Sequence, residues 1–148
     1  MINVEVYEKW MKYALIEAVK AFDAGEVPIG CIIVKDNKII GKGFNQVETL
    51  NDATAHAEMI AITSAQNSLG SKYLNDCELY VTLEPCMMCS GAIFLSKVKK
   101  VVYSLQDKER GHLYKSKESI NKRLVIIDNI LENDSKLLIN SFFEKIRK

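Results

Sequence analysis

The sequence predicts an α/β fold of three layers, α-β-α, with a five-stranded mixed central sheet and helices on both faces. Two observations carry that prediction. Short β-branched runs alternate with longer segments of helical periodicity, in the order α-β-β-α-β-α-β-α-β-α. Several of the short runs are apolar throughout, as expected of strands covered on both sides.

The first helix is placed over Val4–Ala24, because Val6, Trp10, Tyr13, Ala14, Ala18, Ala21 and Phe22 recur at three- and four-residue steps. Met11, Leu15 and Val19 form a second apolar row, so this helix is expected to be well buried. Gly25 is its natural stop. Ile29–Val34 and Ile39–Phe44 read as a hairpin joined by the turn Lys35–Lys38. A polar loop, Asn45–Thr54, leads into a helix over Ala55–Gln66. Glu78–Leu83 is a strand, and Pro85 opens a helix to Ser96, at a position where a missing N–H costs nothing. Val98–Ser104 is a fourth strand. The polar segment Leu105–Lys122 is expected to hold a short helix, Leu124–Asp128 a fifth strand and Leu131–Arg147 the last helix.

A chain of 148 residues suits one domain, 1–148, large enough for a conventional core. The 48% hydrophobic and 26% charged residues fit a soluble globular protein, and the net charge of +1 alone selects no partner. The distribution is more telling: residues 1–96 balance at −5 and residues 97–148 at +6, so the last third can hold a polyanion. The amino terminus has no basic, then apolar, signal-peptide pattern, and no run is long enough to span a bilayer. A cytoplasmic location is expected, with Cys31, Cys77, Cys86 and Cys89 as reduced thiols.

Chemistry concentrates in His56-Ala57-Glu58 and Pro85-Cys86-Met87-Met88-Cys89. Cys86 and Cys89, three apart at a helix start, share one face at the positive end of the helix dipole, which favours thiolates. With His56 they offer three zinc ligands and leave one tetrahedral position open, the pattern of a catalytic rather than a structural site. Glu58 is too close in sequence to His56 to be casually counted as a fourth ligand. On a regular helix two residues so spaced point apart, so the pair works only in an irregular first turn, where the carboxylate can move protons. Taken singly, each residue also has a bland account: a redox or structural cysteine pair, a loop histidine, a first-turn acid. The combined pattern His-x-Glu…Pro-Cys-x-x-Cys is the specific signal of zinc deaminases.

The chain resembles the bacterial tRNA adenosine deaminases of the cytidine/deoxycytidylate deaminase superfamily over nearly its whole length. The resemblance rests on Gly25-Glu26-Val27-Pro28-Ile29-Gly30, Gly43-Phe44-Asn45, Thr54-Ala55-His56-Ala57-Glu58, Leu79 to Cys89, and Phe142-Phe143 followed by Lys145, Arg147 and Lys148. It implies the cytidine deaminase-like fold and a homodimer. It also implies conversion of the wobble adenosine in the anticodon loop of an arginine tRNA to inosine. Among site residues it implies Glu58 as catalytic, His56, Cys86 and Cys89 as ligands of Zn2+, and Asn45, Pro28, Asp107, Phe142 and Phe143 as substrate-binding. Asn45 would read the base and Asp107 would lie near the RNA backbone.

The chain departs from that pattern at Ala53, where the family often has Pro. It departs again after Asp107, where Lys108-Glu109-Arg110-Gly111-His112-Leu113 replaces a Gly-Ala-x-Gly-Ser stretch. Cys31 and Cys77 read as core, Met87 and Met88 as packing, His112 as a loop residue and Glu84 as an acid favouring a helix start. Two other functions share much of this pattern: a deaminase of a free base or nucleoside such as guanine or cytidine, and a non-catalytic zinc- or RNA-binding subunit. The basic last third favours RNA over a small neutral substrate. Lys97, Lys99, Lys100, Lys108, Arg110, Lys115, Lys117, Lys122 and Arg123 are the candidates to follow a phosphate backbone. Leu138, Phe142 and Ile146 would dock the last helix, leaving Lys145, Arg147 and Lys148 outward. Glu58 speaks against a purely structural site, which needs no proton carrier.

Overall fold

A computed structural model describes residues 3–147. Lys148, counted with the basic end of the last helix, lies outside the described residues, as do Met1 and Ile2. Helix α1 (Val4–Asp23) is capped by the Asn3 side chain and closed before Gly25, whose φ of +78° suits glycine. Strands β1 (Gly30–Lys35) and β2 (Lys38–Phe44) form the expected hairpin. Asp36 and Asn37 both adopt positive φ, the turn geometry whose twist matches the strands.

Helix α2 (Val47–Leu50) occupies what reads in sequence as loop. Helix α3 (Ala57–Leu69) follows, then β3 (Glu78–Leu83), α4 (Met87–Leu95), β4 (Lys100–Leu105), α5 (Leu113–Ser119), β5 (Val125–Ile127) and α6 (Glu132–Ile146). Two helix starts differ from the sequence reading. His56 and Cys86 are extended capping residues ahead of α3 and α4, and Pro85 stands before the cap rather than in the first turn.

The five strands lie in the order β2-β1-β3-β4-β5. β1 pairs antiparallel with β2 and β3, and β3, β4 and β5 run parallel, which makes the sheet mixed. Alternate residues face opposite layers. Cys31, Ile33, Leu79, Val81, Val101 and Tyr103 pack in one cluster with Ala57, Ala61, Ile93 and Leu113 from α3, α4 and α5. Ile32, Val34, Tyr80 and Val102 pack in the other with Trp10, Met11 and Ala14 of α1. On that second side α6 packs against β4 and α1.

The two apolar rows of α1 fare differently from expectation. Trp10, Met11, Ala14, Ala18 and Ala21 are buried, but Val6, Tyr13 and Val19 are exposed, because only one side of the helix meets the sheet. Helix α3 approaches β2 backbone to backbone. A Cβ on Gly43 would lie 2.4 Å from the Ala57 carbonyl oxygen, so only glycine lets the first turn of α3 sit this close.

Candidate metal centre and active site

His56 and Cys86 each end an extended segment at the positive end of a helix, and Cys89 lies in the first turn of α4. The His56 Nδ1 atom lies 3.6 Å from Cys86 Sγ and 3.5 Å from Cys89 Sγ. The three ligand atoms fall within 4.8 Å of one another. A tetrahedral zinc bonded to imidazole nitrogen and thiolate sulfur separates N from S by about 3.6 Å, so the donors fit that ion in type and spacing. Because His56 precedes the helix, the two-residue step to Glu58 escapes helical geometry. Glu58 turns inward beside the ligands and is only 4% exposed.

The titrations reflect this crowding. Burial, with the Cys86 charge adding to it, pushes the Glu58 carboxyl up to about 7. Cys86 falls to about 3, because the Cys89 thiol and the His56 ring donate to it, and Cys89 is raised by giving its hydrogen to Cys86. The His56 ring is raised by its hydrogen bond with Cys86 against the opposing effect of burial. A site that readily makes one thiolate and holds its partner's proton in a shared hydrogen bond gives up that proton to a divalent cation.

The centre opens into a cleft of about 1030 Å³. It lies where β2, β3 and β4 end and β1 begins, the strand-end position expected of ligand sites in α/β sheets. Asn45 lines it and is buried; its Nδ2 donates to the Val27 carbonyl at 3.4 Å, while its Oδ1 has no partner. Pro28 is buried outside the lining, and its neighbours Val27 and Ile29 face the cleft. Phe142 and Phe143 line the far wall edge to face, 5.4 Å between ring centres.

Asp107 lines the cleft as well, but its carboxylate already accepts the amides of Glu109 and Arg110 at 3.1 and 3.0 Å. It thereby shapes the divergent loop. Glu84, read from sequence as a helix-start acid, braces the same loop: its Oε1 accepts the Asp107 amide at 3.2 Å. The backbone adds Glu84 N–H to the Leu105 carbonyl and His112 N–H to the Pro85 carbonyl.

Two expectations about charge and docking change. Of the nine basic residues expected to follow phosphates, Lys108 and Arg110 line the cleft. Lys100 is paired with Glu78 at 3.2 Å, Lys97 lies over the Tyr73 ring, and Lys117 donates to the carbonyls of Lys122 and Leu124. Helix α6 docks through Ser135 and Phe142, whereas Ile146 is 60% exposed at the cleft. Lys145 packs over the Phe22 ring rather than standing free. Cys31 and Cys77 are buried in the core, as read from sequence.

Glu26 entered the sequence reading only as part of a resembling segment and received no role from it. It is buried to 1% exposure, and its carboxylate accepts from the amides of Glu48 and Thr49 at 3.0 and 2.6 Å and from the Thr49 hydroxyl at 2.7 Å. Burial raises its carboxyl, and these three donors outweigh that to leave it below the ordinary carboxylate value.

The profile of the cytidine and deoxycytidylate deaminase zinc-binding region matches residues 4–105. A tRNA-specific adenosine deaminase of Aquifex aeolicus is 49% identical over 145 residues, 95% of either chain. Among solved structures, one from work on A-to-I editing by tRNA:A34 deaminases at the wobble position is 35% identical with a TM-score of 0.81. It covers 86% of this chain and 96% of its own. A guanine deaminase from Bacillus subtilis is 44% identical with a TM-score of 0.64, over 71% of this chain and 66% of its own. With a zinc-binding region matched over most of its length and the three donors gathered as that metal requires, this chain belongs to the cytidine and deoxycytidylate deaminase family.

Proposed function

We propose that the protein is a tRNA adenosine deaminase that converts the wobble adenosine of an anticodon loop, that of an arginine tRNA, to inosine. The observation that carries the reading is a three-donor zinc site beside a buried carboxylate, at the bottom of a cleft walled by Asn45, two phenylalanines and two cations. His56, Cys86 and Cys89 hold the metal. Zinc bound there supplies Lewis-acid activation of water at neutral pH. Glu58 takes a proton from the attacking water and returns it to the departing amine, as a C–O bond forms at C6 of adenine, the C–N bond breaks and ammonia leaves.

Asn45 supports recognition of an extruded base, because its buried, unpartnered Oδ1 is satisfied by a donor on the base edge. Phe142 and Phe143 offer ring faces to a neighbouring base, and Lys108 and Arg110 stand where flanking phosphates would run. Pro28 shapes the wall through Val27 and Ile29, and Asp107 acts on RNA through the loop it holds. The protein works as a cytoplasmic homodimer in this reading. The apolar outer face of α4, with Met87, Phe94 and 72%-exposed Leu95, supports pairing, and its mass in solution tests it. Among the described residues no helix is long and apolar enough to cross a membrane.

The test is parallel incubation with an anticodon stem-loop carrying a wobble adenosine, free adenosine, guanine and cytidine. Inosine in the stem-loop is expected, with little turnover of the free compounds. Binding of the stem-loop should weaken with salt, and removing Lys108 and Arg110 should flatten the slope by about 0.7 for each phosphate no longer neutralised. Faster turnover of a free base, with the stem-loop untouched, contradicts the reading in favour of the activity named for the Bacillus relative.

A further inference from the structure

We infer that Glu26 is a positioning residue: its carboxylate pins the Val47–Leu50 turn from outside and so fixes the cleft wall that grips the substrate base. The inference deepens the proposed function and, for its kinetic half, rests on it.

Helix α2 has four residues and a capping position, Gln46, whose side chain makes no cap hydrogen bond. So short a helix cannot hold itself in water. Its second and third amides are bonded instead by Glu26, which lies in the segment leading into β1, at the open end of the β1–β2 hairpin. The Thr49 hydroxyl adds a third bond to the same carboxylate. All three partners are donors, so an acceptor-only group is required there; an amide at this place would set its own N–H groups against theirs. Val47 and Glu48 of this turn line the cleft beside Asn45, and Glu26 itself, almost wholly covered, belongs to the same wall.

The other end of the loop is held separately. Asp52 accepts the amide and hydroxyl of Thr54 at 2.8 Å each, and Gln46 N–H bonds the Ala55 carbonyl at 3.0 Å. The approach to His56 thus has bonds of its own besides those it makes to the turn, and zinc binding should survive the loss of the pin while the grip on the base does not.

Two variants test this, Glu26→Gln and Thr49→Val. The second removes a single exposed hydroxyl and leaves the fold intact if the first does not fold. Amide hydrogen exchange at Glu48 and Thr49, which needs no substrate, should quicken about tenfold or more in Glu26→Gln and about threefold in Thr49→Val. Zinc should stay at about one per chain. With the anticodon stem-loop, KM should rise about tenfold in Glu26→Gln, with kcat altered less than about threefold. Unaltered exchange in whichever variants fold overturns the pin. Faster exchange with KM unmoved overturns its role in gripping substrate. Failure of the wild-type protein to convert the stem-loop would instead overturn the substrate assignment, and the exchange result would still decide whether Glu26 holds the turn.

Discussion

At the scale of single residues, the metal centre depends on three side chains whose roles cannot be exchanged. A thiolate supplies charge and softness that neither alanine nor serine replaces, and among the described residues three protein donors are gathered here, so losing one leaves two. Cys86→Ala and Cys89→Ala proteins should therefore lose most of their zinc after dialysis, while Cys77→Ser, altered in the core, should retain about one per chain. Full zinc in both alanine variants would remove these cysteines from the ligand set. These candidate ligands stood out in sequence because their motifs are local: Cys86 and Cys89 are three apart, and His56 lies two before Glu58. Glu26 was not legible, because its partners are 22 and 23 residues away and nothing in its own neighbourhood requires an acid. Asp107 illustrates the converse, since a position matched by resemblance turned out to carry a local structural duty as well.

At the scale of elements, strands were easier to read than helix boundaries. Glu78–Leu83 is found as expected, since Leu79, Tyr80 and Val81 form a short run without helical spacing, covered on both faces. His56 and Cys86 were expected within or at the start of helices and are capping residues instead. Periodicity marks which residues lie on a face, but not the residue at which the backbone changes conformation. Helix α2 was missed because its stability comes from a distant carboxylate and not from its own four residues. The packing of α3 on β2 links element to site. Gly43→Ala would drive a methyl group into the Ala57 carbonyl and the Ala61 amide, 2.4 and 2.7 Å away, and push the first turn of α3 outward. The variant should lose about 1–3 kcal/mol of stability, melt several degrees lower and hold zinc less tightly, because His56 and Glu58 ride on that turn. An unchanged melting temperature and zinc content would show that the helix accommodates the methyl without moving the site.

At the scale of the whole molecule, the layered architecture brings the ends of four strands to one cleft and gives each wall a different character. The segment just after β2 supplies Asn45, the starts of α3 and α4 supply the candidate metal donors and Glu58, the β4–α5 loop supplies Lys108 and Arg110, and α6 supplies the phenylalanines. The layer order was readable from the alternation of elements. The faces left uncovered were not: the exposed side of α1 and the outer face of α4 look in sequence like any other apolar rows. The charge excess of the last third was readable too, but the fold divides it, sending Lys100 into a pair with Glu78 at the start of β4 and, among the described residues, only Lys108 and Arg110 into the cleft. The proposed function divides two tasks, holding the metal and moving the proton, between neighbouring residues. Zinc content and turnover of the anticodon stem-loop, measured on the same preparation of Glu58→Gln, test that separation most directly. The account predicts about one zinc per chain with turnover at least about 10²-fold below wild type; near-normal turnover, or loss of the zinc together with the activity, would contradict it.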